Sequence, residues 1–271
     1  MVSRRQQEGG IGSMKRISTA LASIAFALLL SSVSSGESMT GSQLMKAVRE
    51  KNNSKTQEST VSMKLIDKKG RSQDRKLKIW AEQMGDVENT LTRFVSPERV
   101  NGVGFLVINK DGGTQRYLYT PSEKQTRMVP EGDNKKSFQG TDFTYYDLSP
   151  HDVEDDGSYD PLASEQYEGH DCWVCTSHPK DKDALYSKVI QWVRKDIYVP
   201  VKIEFYDEKG AHLKTSQVLE MKQIDGYWTP IKSVMHNIQI DHKTMMLLDD
   251  VQFDKKLPDQ LFTRSSLEKG A

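Results

Sequence analysis

Four side chains able to bind metal or exchange electrons lie close together in the chain: His170, Cys172, Cys175 and His178. Tetrahedral zinc would need all four to converge on one point. Residues 172–177 alternate as a strand, and an odd offset along a strand sends Cys172 and Cys175 to opposite faces. The same parity discourages a direct disulfide. A thioredoxin-type dithiol needs a helix N-terminus, which this segment does not supply. An exported chain could still oxidise the pair if the segment were a loop. Structural cysteines without a metal are therefore the expectation.

Other reactive arrangements are missing from the sequence. It has no G-x-S-x-G elbow, H-E-x-x-H helix, P-loop or G-x-G-x-x-G turn. Gly102-Val103-Gly104 is too short to cradle a phosphate and reads as the start of a strand. Carboxylate runs such as Glu154-Asp155-Asp156 and Asp249-Asp250 occur in a chain that is 28% charged. They fit solvated loops and edges better than a general acid and base. No catalytic residue and no cofactor are assigned, and the protein is expected not to be an enzyme.

The elements that position these residues are mostly strands. One helix is expected to start at Thr40, with Gln43 completing a capping box, and to carry Leu44, Ala47 and Val48 toward Asn52-Asn53. Thereafter the apolar residues recur with period two. Val61, Met63 and Leu65 share a face, as do Leu77, Ile79 and Ala81, with Lys76 and Lys78 opposite. Further strands are expected over residues 87–95, 105–108, 116–119 and 125–129. They resume over 172–177, 187–194, 201–206, 212–223, 227–240 and 244–253. Turns such as Lys68-Lys69-Gly70, Asp207-Glu208-Lys209-Gly210 and Asp225-Gly226 separate several of them, the texture of an antiparallel meander.

Residues 130–161 form the one long irregular stretch, the kind of segment that acts as a lid or binding loop. A helix is expected around residues 141–148 and a short turn after Pro258. So few helices cannot cover so many strands, so the sheet should curl. The alternation leaves open whether it closes on its own side chains or keeps a concave apolar space for a ligand. Met63, Met128, Met221, Met235, Met245 and Met246 suit either a core or an adaptable apolar surface. Trp80 and Trp192 fall on the opposite parity from the main aliphatic set or on a mixed face, and are expected to cap the outer side of the sheet or to reach a partner.

Composition limits the partners. Lys+Arg and Asp+Glu are both 38, giving a formal net charge of zero, without the basic footprint of a nucleic-acid binder. With 36% hydrophobic residues and a mean hydropathy of -0.66, the chain is polar but has material for a core. Two cysteines are too few for a disulfide scaffold. The basic Met14-Lys15-Arg16, the apolar residues 20–30 and the small polar residues 31–36 follow the pattern of a secretory signal peptide. The apolar run is too short to span a bilayer. No cysteine near residue 36 would carry a lipid. Residues 1–36 are thus an N-terminal extension and signal, and residues 37–271 one domain. Cleavage there removes four basic residues and one acidic one, leaving a net charge of −3.

Three stretches carry a family likeness: Arg116-Tyr117-Leu118-Tyr119-Thr120-Pro121, Thr126-Arg127-Met128-Val129-Pro130, and the run from Phe138-Gln139-Gly140-Thr141-Asp142-Phe143 through Thr144-Tyr145-Tyr146-Asp147-Leu148. Together they resemble the signature region of bacterial outer-membrane lipoprotein-sorting proteins, the LolA-like superfamily. Gly140-Thr141-Asp142-Phe143 is its most specific part, and the likeness spans essentially the whole mature chain. It implies a mainly β fold, one curved antiparallel sheet forming a half-open barrel, with a few helices closing a hydrophobic cavity. It also implies a soluble periplasmic carrier for the acyl chains of a lipoprotein or lipid, between an inner-membrane transporter and an outer-membrane acceptor. The chain is expected to be a monomer. The same-face apolar sets then nominate Val61, Met63, Leu65, Leu77, Ile79, Phe105, Val107, Ile203 and Phe205 as the lining. Phe138, Gly140, Thr141, Asp142, Phe143 and Tyr145 are the nominated lid. The family's cargo-binding arginine matches no motif position here. A lipid-sensing regulator of a membrane partner and an envelope-lipid hydrolase are the alternatives.

Overall fold

A computed structural model describes residues 39–51, 54–84, 87–110, 113–149, 157–180 and 184–270. The signal-like residues 14–36, the preceding extension, Asn52-Asn53, Pro150 and Glu154-Asp155-Asp156 lie outside them. The first helix, α1 (Gly41–Lys51), starts where the capping box placed it. Gln43 N donates to Thr40 Oγ1 at 3.2 Å and Thr40 N to Gln43 Oε1 at 2.8 Å.

A first run of strands comprises β1 (Thr56–Ile66), β2 (Ser72–Met84), β3 (Val87–Ser96), β4 (Gly104–Lys110), β5 (Gly113–Thr120) and β6 (Gln125–Met128). The second comprises β7 (Gly157–Tyr159), β8 (Ala163–Tyr167), β9 (His170–Pro179), β10 (Lys188–Arg194), β11 (Pro200–Tyr206), β12 (His212–Ile224), β13 (Tyr227–Asn237) and β14 (His242–Phe253). All fourteen form one antiparallel sheet in the order β6-β5-β4-β3-β2-β1-β14-β13-β12-β11-β10-β9-β7, with β8 also on β9. The two runs are meanders joined where β1 pairs with β14. The sheet is not closed: β6 ends one edge, and β7 and β8 share the other.

Two hairpins repeat one turn. Asp67 Oδ1 accepts from the N–H of Lys69 and Arg71, and Asp207 Oδ1 from those of Lys209 and Ala211, at 2.9–3.0 Å. Gly70 and Gly210 supply the left-handed residue, at φ 77° and 78°. Register shifts at Thr60/Val61, Lys76/Leu77, Trp192/Val193 and Phe205/Tyr206 interrupt the ladders. Such bulges increase local twist and let a long sheet curl.

The two faces pack differently. On the outer face Trp80, Leu91, Leu106 and Tyr117 are buried under Leu261 and Leu267. Leu267 belongs to the C-terminal helix α2 (Arg264–Lys269). Buried Arg93 holds this helix by donating from Nη2 to the Leu267 and Ser266 carbonyls at 2.7 and 3.2 Å. On the inner face Val61, Leu77, Phe94, Phe105 and Leu118 form the largest cluster. Farther along, Leu44 and Met45 of α1 cover Cys175 and Val193.

Three local expectations need correction. Residues 141–148 form turns and no helix: Asp142 is held by Thr244 of β14, and the reciprocal Thr144–Asp147 bonds cap a single turn, closed by Leu148 N donating to Thr144 O. Strand β7 was not expected, and β8 was implied only by the family's mid-region hairpin around residues 167–172, since it is mostly exposed and lacks apolar alternation. The 227–240 strand ends at Asn237, where a turn begins.

Cys172 and Cys175 do fall in separate clusters, the first against Trp192 and Val201, the second against α1. Both thiols are free, and His178 turns to Asp160 at 3.2 Å. The four tempting ligands are thus not brought together. Burial, and then the Asp160 charge, pushes the Cys175 thiol up to about 11. Its thiolate is accordingly scarce at neutral pH. Iodoacetamide at pH 8 should leave both cysteines unmodified in the folded protein and label both in urea; fast labelling of the native form would refute this packing. Phe94→Ala, which empties the centre of the inner cluster, should cost about 3–5 kcal/mol in urea unfolding.

Candidate functional site

The chain leaves β6 at one edge of the sheet and must next pair at the opposite edge, in β7. Residues 129–149 make that journey across the inner face, and their contacts trace it. Phe138 comes first, stacked on Phe94 at 5.4 Å between ring centroids, with Phe105 at 5.5 Å and Tyr145 at 5.7 Å. A tight hairpin follows. Phe138 N donates to Phe143 O at 2.8 Å, and Thr141 returns to Phe138 O through both its N–H and its Oγ1. Gln139 and Gly140 sit at φ 51° and 76° at its tip. Gly140 is the residue type that takes this conformation without strain.

Two buried polar contacts fasten the crossing. Asp142 N donates to Thr244 Oγ1 at 2.9 Å, and Thr244 Oγ1 donates to Asp142 Oδ2 at 2.7 Å. His242 Nδ1 lies 2.8 Å from the same carboxylate. Two strands away, on β12, Lys214 Nζ reaches Asp147 Oδ2 at 2.5 Å and Asp142 O at 3.0 Å. The Lys214 and Asp147 side chains are 2% and 7% exposed, so the pair is desolvated. Tyr186 donates its hydroxyl to Asp147 Oδ1 at 2.5 Å. Burial and then the Asp147 charge push the Tyr186 phenol far above its ordinary range, which keeps it a neutral donor.

The crossing fills only part of the inner face. Val61, Met63, Leu65, Leu77, Phe105 and Val107 are packed in one cluster together with Phe138 and Tyr145. These lining and lid nominees therefore touch each other. Ile203 and Phe205 instead border an apolar recess of about 340 Å³, beside Phe143, Tyr186, Val189 and Met235. Val61 and Ile79 border a second apolar recess of about 450 Å³, with Val48 of α1, Val218, Met246 and Leu248. Ser216 lines both, so the two recesses adjoin. Gly140, Thr141 and Asp142 shape the hairpin and its fastening and border neither.

Lys214, Tyr186, Thr244 and His242 were missed in the sequence. Lys214 and Thr244 each stand at an inward position of a strand, where a polar side chain needs a partner. That parity was the available signal. Their partners lie 67 and 102 residues away, and nothing local names them. Among the described residues no helix is long and apolar enough to cross a membrane.

A domain from Vibrio parahaemolyticus assigned as an outer membrane lipoprotein-sorting protein is 29% identical. It superposes with a TM-score of 0.79 over 84% of this chain and 98% of that one. A DUF1329 family protein from Desulfovibrio piger is 26% identical, also with a TM-score of 0.79, over 84% and 97% of the two chains. A LolA superfamily protein from Nitrosomonas europaea, at 19% identity, shares the fold with a TM-score of 0.67 over 83% and 98%. Comparison with curated proteins gives no match. Residues 86–269 match a family model described as "Uncharacterized protein". The chain belongs to that family, and its architecture is that of the LolA-like outer-membrane lipoprotein-sorting proteins.

Proposed function

We propose that this protein is an exported, soluble periplasmic carrier that holds the acyl chains of a lipoprotein or lipid on its inner face. It takes them from an inner-membrane transporter and gives them to an outer-membrane acceptor. The observation that carries this reading is the pair of adjoining apolar recesses between α1 and the crossing segment. Sequestering a methylene from water is worth about 0.8 kcal/mol, so covering part of one chain offsets much of the cost of leaving a bilayer. The reading supposes binding and release with no bond made or broken, hence no enzyme and no cofactor.

The crossing segment then serves as the lid. Phe138 and Tyr145 occupy the inner face over Val61, Met63, Leu65, Leu77, Phe105 and Val107, and Phe143 borders the open recess. In this account Ile203, Phe205 and Ile79 meet cargo first. The six packed residues would be uncovered only if the lid lifts. Lifting must break the Asp142–Thr244 and Asp147–Lys214 contacts, which sets a barrier to release.

Two outcomes follow. An uncharged pyrene-labelled acyl ester should bind the purified chain, and Ser216→Trp, which projects into both recesses, should weaken it at least roughly ten-fold, while the exposed control Leu219→Trp should not. Unchanged binding in a folded Ser216→Trp protein would contradict the reading. Lys214→Met, which strands the buried Asp147 carboxylate, should cost about 3–5 kcal/mol in urea unfolding. Adding Asp147→Leu should recover part of that loss, and both variants should release the ester faster in stopped flow.

A further inference from the structure

Beneath the tip of the hairpin lies a third recess, of about 450 Å³ and polar, bordered by Leu65, Arg71, Arg75, Arg99, Gln139 and His242. Its charge is one-sided. Three guanidinium groups meet a single carboxylate, Asp67, which Arg71 already holds at 2.6 Å and which caps its own turn. His242 is committed to Asp142. Arg99 donates to the neutral Gln73 and, like Arg75, forms no ion pair among the described residues.

Arg75 is the informative group. It stands on β2 at the parity of Leu77 and Ile79, pointing inward, and is only 6% exposed. Of its five N–H groups, one is used: Nη1 donates to the Gln139 carbonyl at 2.5 Å. Nε is buried with no acceptor, and Nη2, which solvent reaches, has no protein acceptor. The Phe94 ring lies 5.6 Å from the guanidinium carbon. That ring attracts the cation but offers no acceptor to the in-plane N–H groups. Burial and then the charge of neighbouring Arg99 push the Arg75 guanidinium below its ordinary value. A desolvated cation with idle donors is strongly unfavourable unless an anion meets it.

We propose that this recess binds a phosphate-ester anion, held by Arg75 and Arg99 with Arg71 at the rim. Guanidinium forks from two separate elements suit a tetrahedral oxyanion with acceptors on several sides better than a planar carboxylate. Leu65 belongs to both this recess and the inner apolar cluster. The acyl chains of a lipid phosphate bound here would therefore meet the packed part of the inner face, which opens to them when the lid lifts. The inference rests on the carrier reading only for that source of the phosphate.

Isothermal titration of the full chain with inorganic phosphate and with dihexanoylphosphatidic acid, at low salt, tests it. At least one of the two probes should bind. Arg99→Gln, at an exposed position, should weaken binding roughly ten-fold without changing the circular dichroism, the loss expected for one charge-assisted hydrogen bond. Arg75→Gln should weaken it further. Binding of phosphatidic acid alone identifies a lipid headgroup as the source, and equal binding of both probes identifies free phosphate. The proposal is overturned if neither probe binds, or if the folded Arg99→Gln protein binds as the parent does. Dihexanoylglycerol, which lacks the phosphate, separates the two ideas. Uptake of it with no phosphate binding would sink this site and leave the carrier reading intact, and the reverse would do the opposite.

Discussion

One topological constraint governs the inner face: the chain that finishes at the β6 edge has to continue at the β7 edge. Two antiparallel meanders meet at the β1–β14 pair, and within each of them successive strands are mostly neighbours in the sheet. The single long connection has no route along the sheet and is laid over its concave side. A segment in that position must satisfy its own backbone without a ladder. Here the hairpin from Phe138 to Phe143 and the reciprocal bonds between Thr144 and Asp147 do so. Its side chains then divide into aromatic groups that sink into the core and carboxylates that reach strand partners.

That division leaves an asymmetric interior. Over β1 to β5 the aromatic plug of Phe138 and Tyr145 gives a filled, barrel-like core. Over β9 to β14 the cover, among the described residues, is α1 and the far end of the crossing, and apolar recesses remain. A protein built only for stability would gain by filling them, since voids forfeit dispersion contacts. The fastening contacts are also an unusual way to gain stability, because a desolvated ion pair such as Lys214–Asp147 rarely outperforms an apolar pair of the same volume. They do provide a crossing with one defined seat and a definite cost of leaving it.

Much of the fold was legible from alternation alone. Val61, Met63 and Leu65 point inward as their spacing required, Thr40 and Gln43 form the cap they spelled, and Trp80 lies on the outer side. The resemblance of Gly140-Thr141-Asp142-Phe143 located the crossing but not its conformation. A helix was expected around residues 141–148, yet the Thr144 and Asp147 side chains close a turn there instead. Whether the concave face is filled could not be read locally, since it depends on where Phe138 lands. Arg75 was hidden for a related reason: a single charged residue beside Leu77 and Ile79 looks like a strand end. Only the three-dimensional arrangement shows that it is buried.

Native mass spectrometry of the mature protein isolated from its own envelope, followed by lipid extraction, tests the carrier account most directly. The account predicts one unmodified acylated molecule per chain, lost when Ser216 is replaced by tryptophan. A protein that emerges empty from the envelope, and stays empty when offered acyl probes, would contradict it.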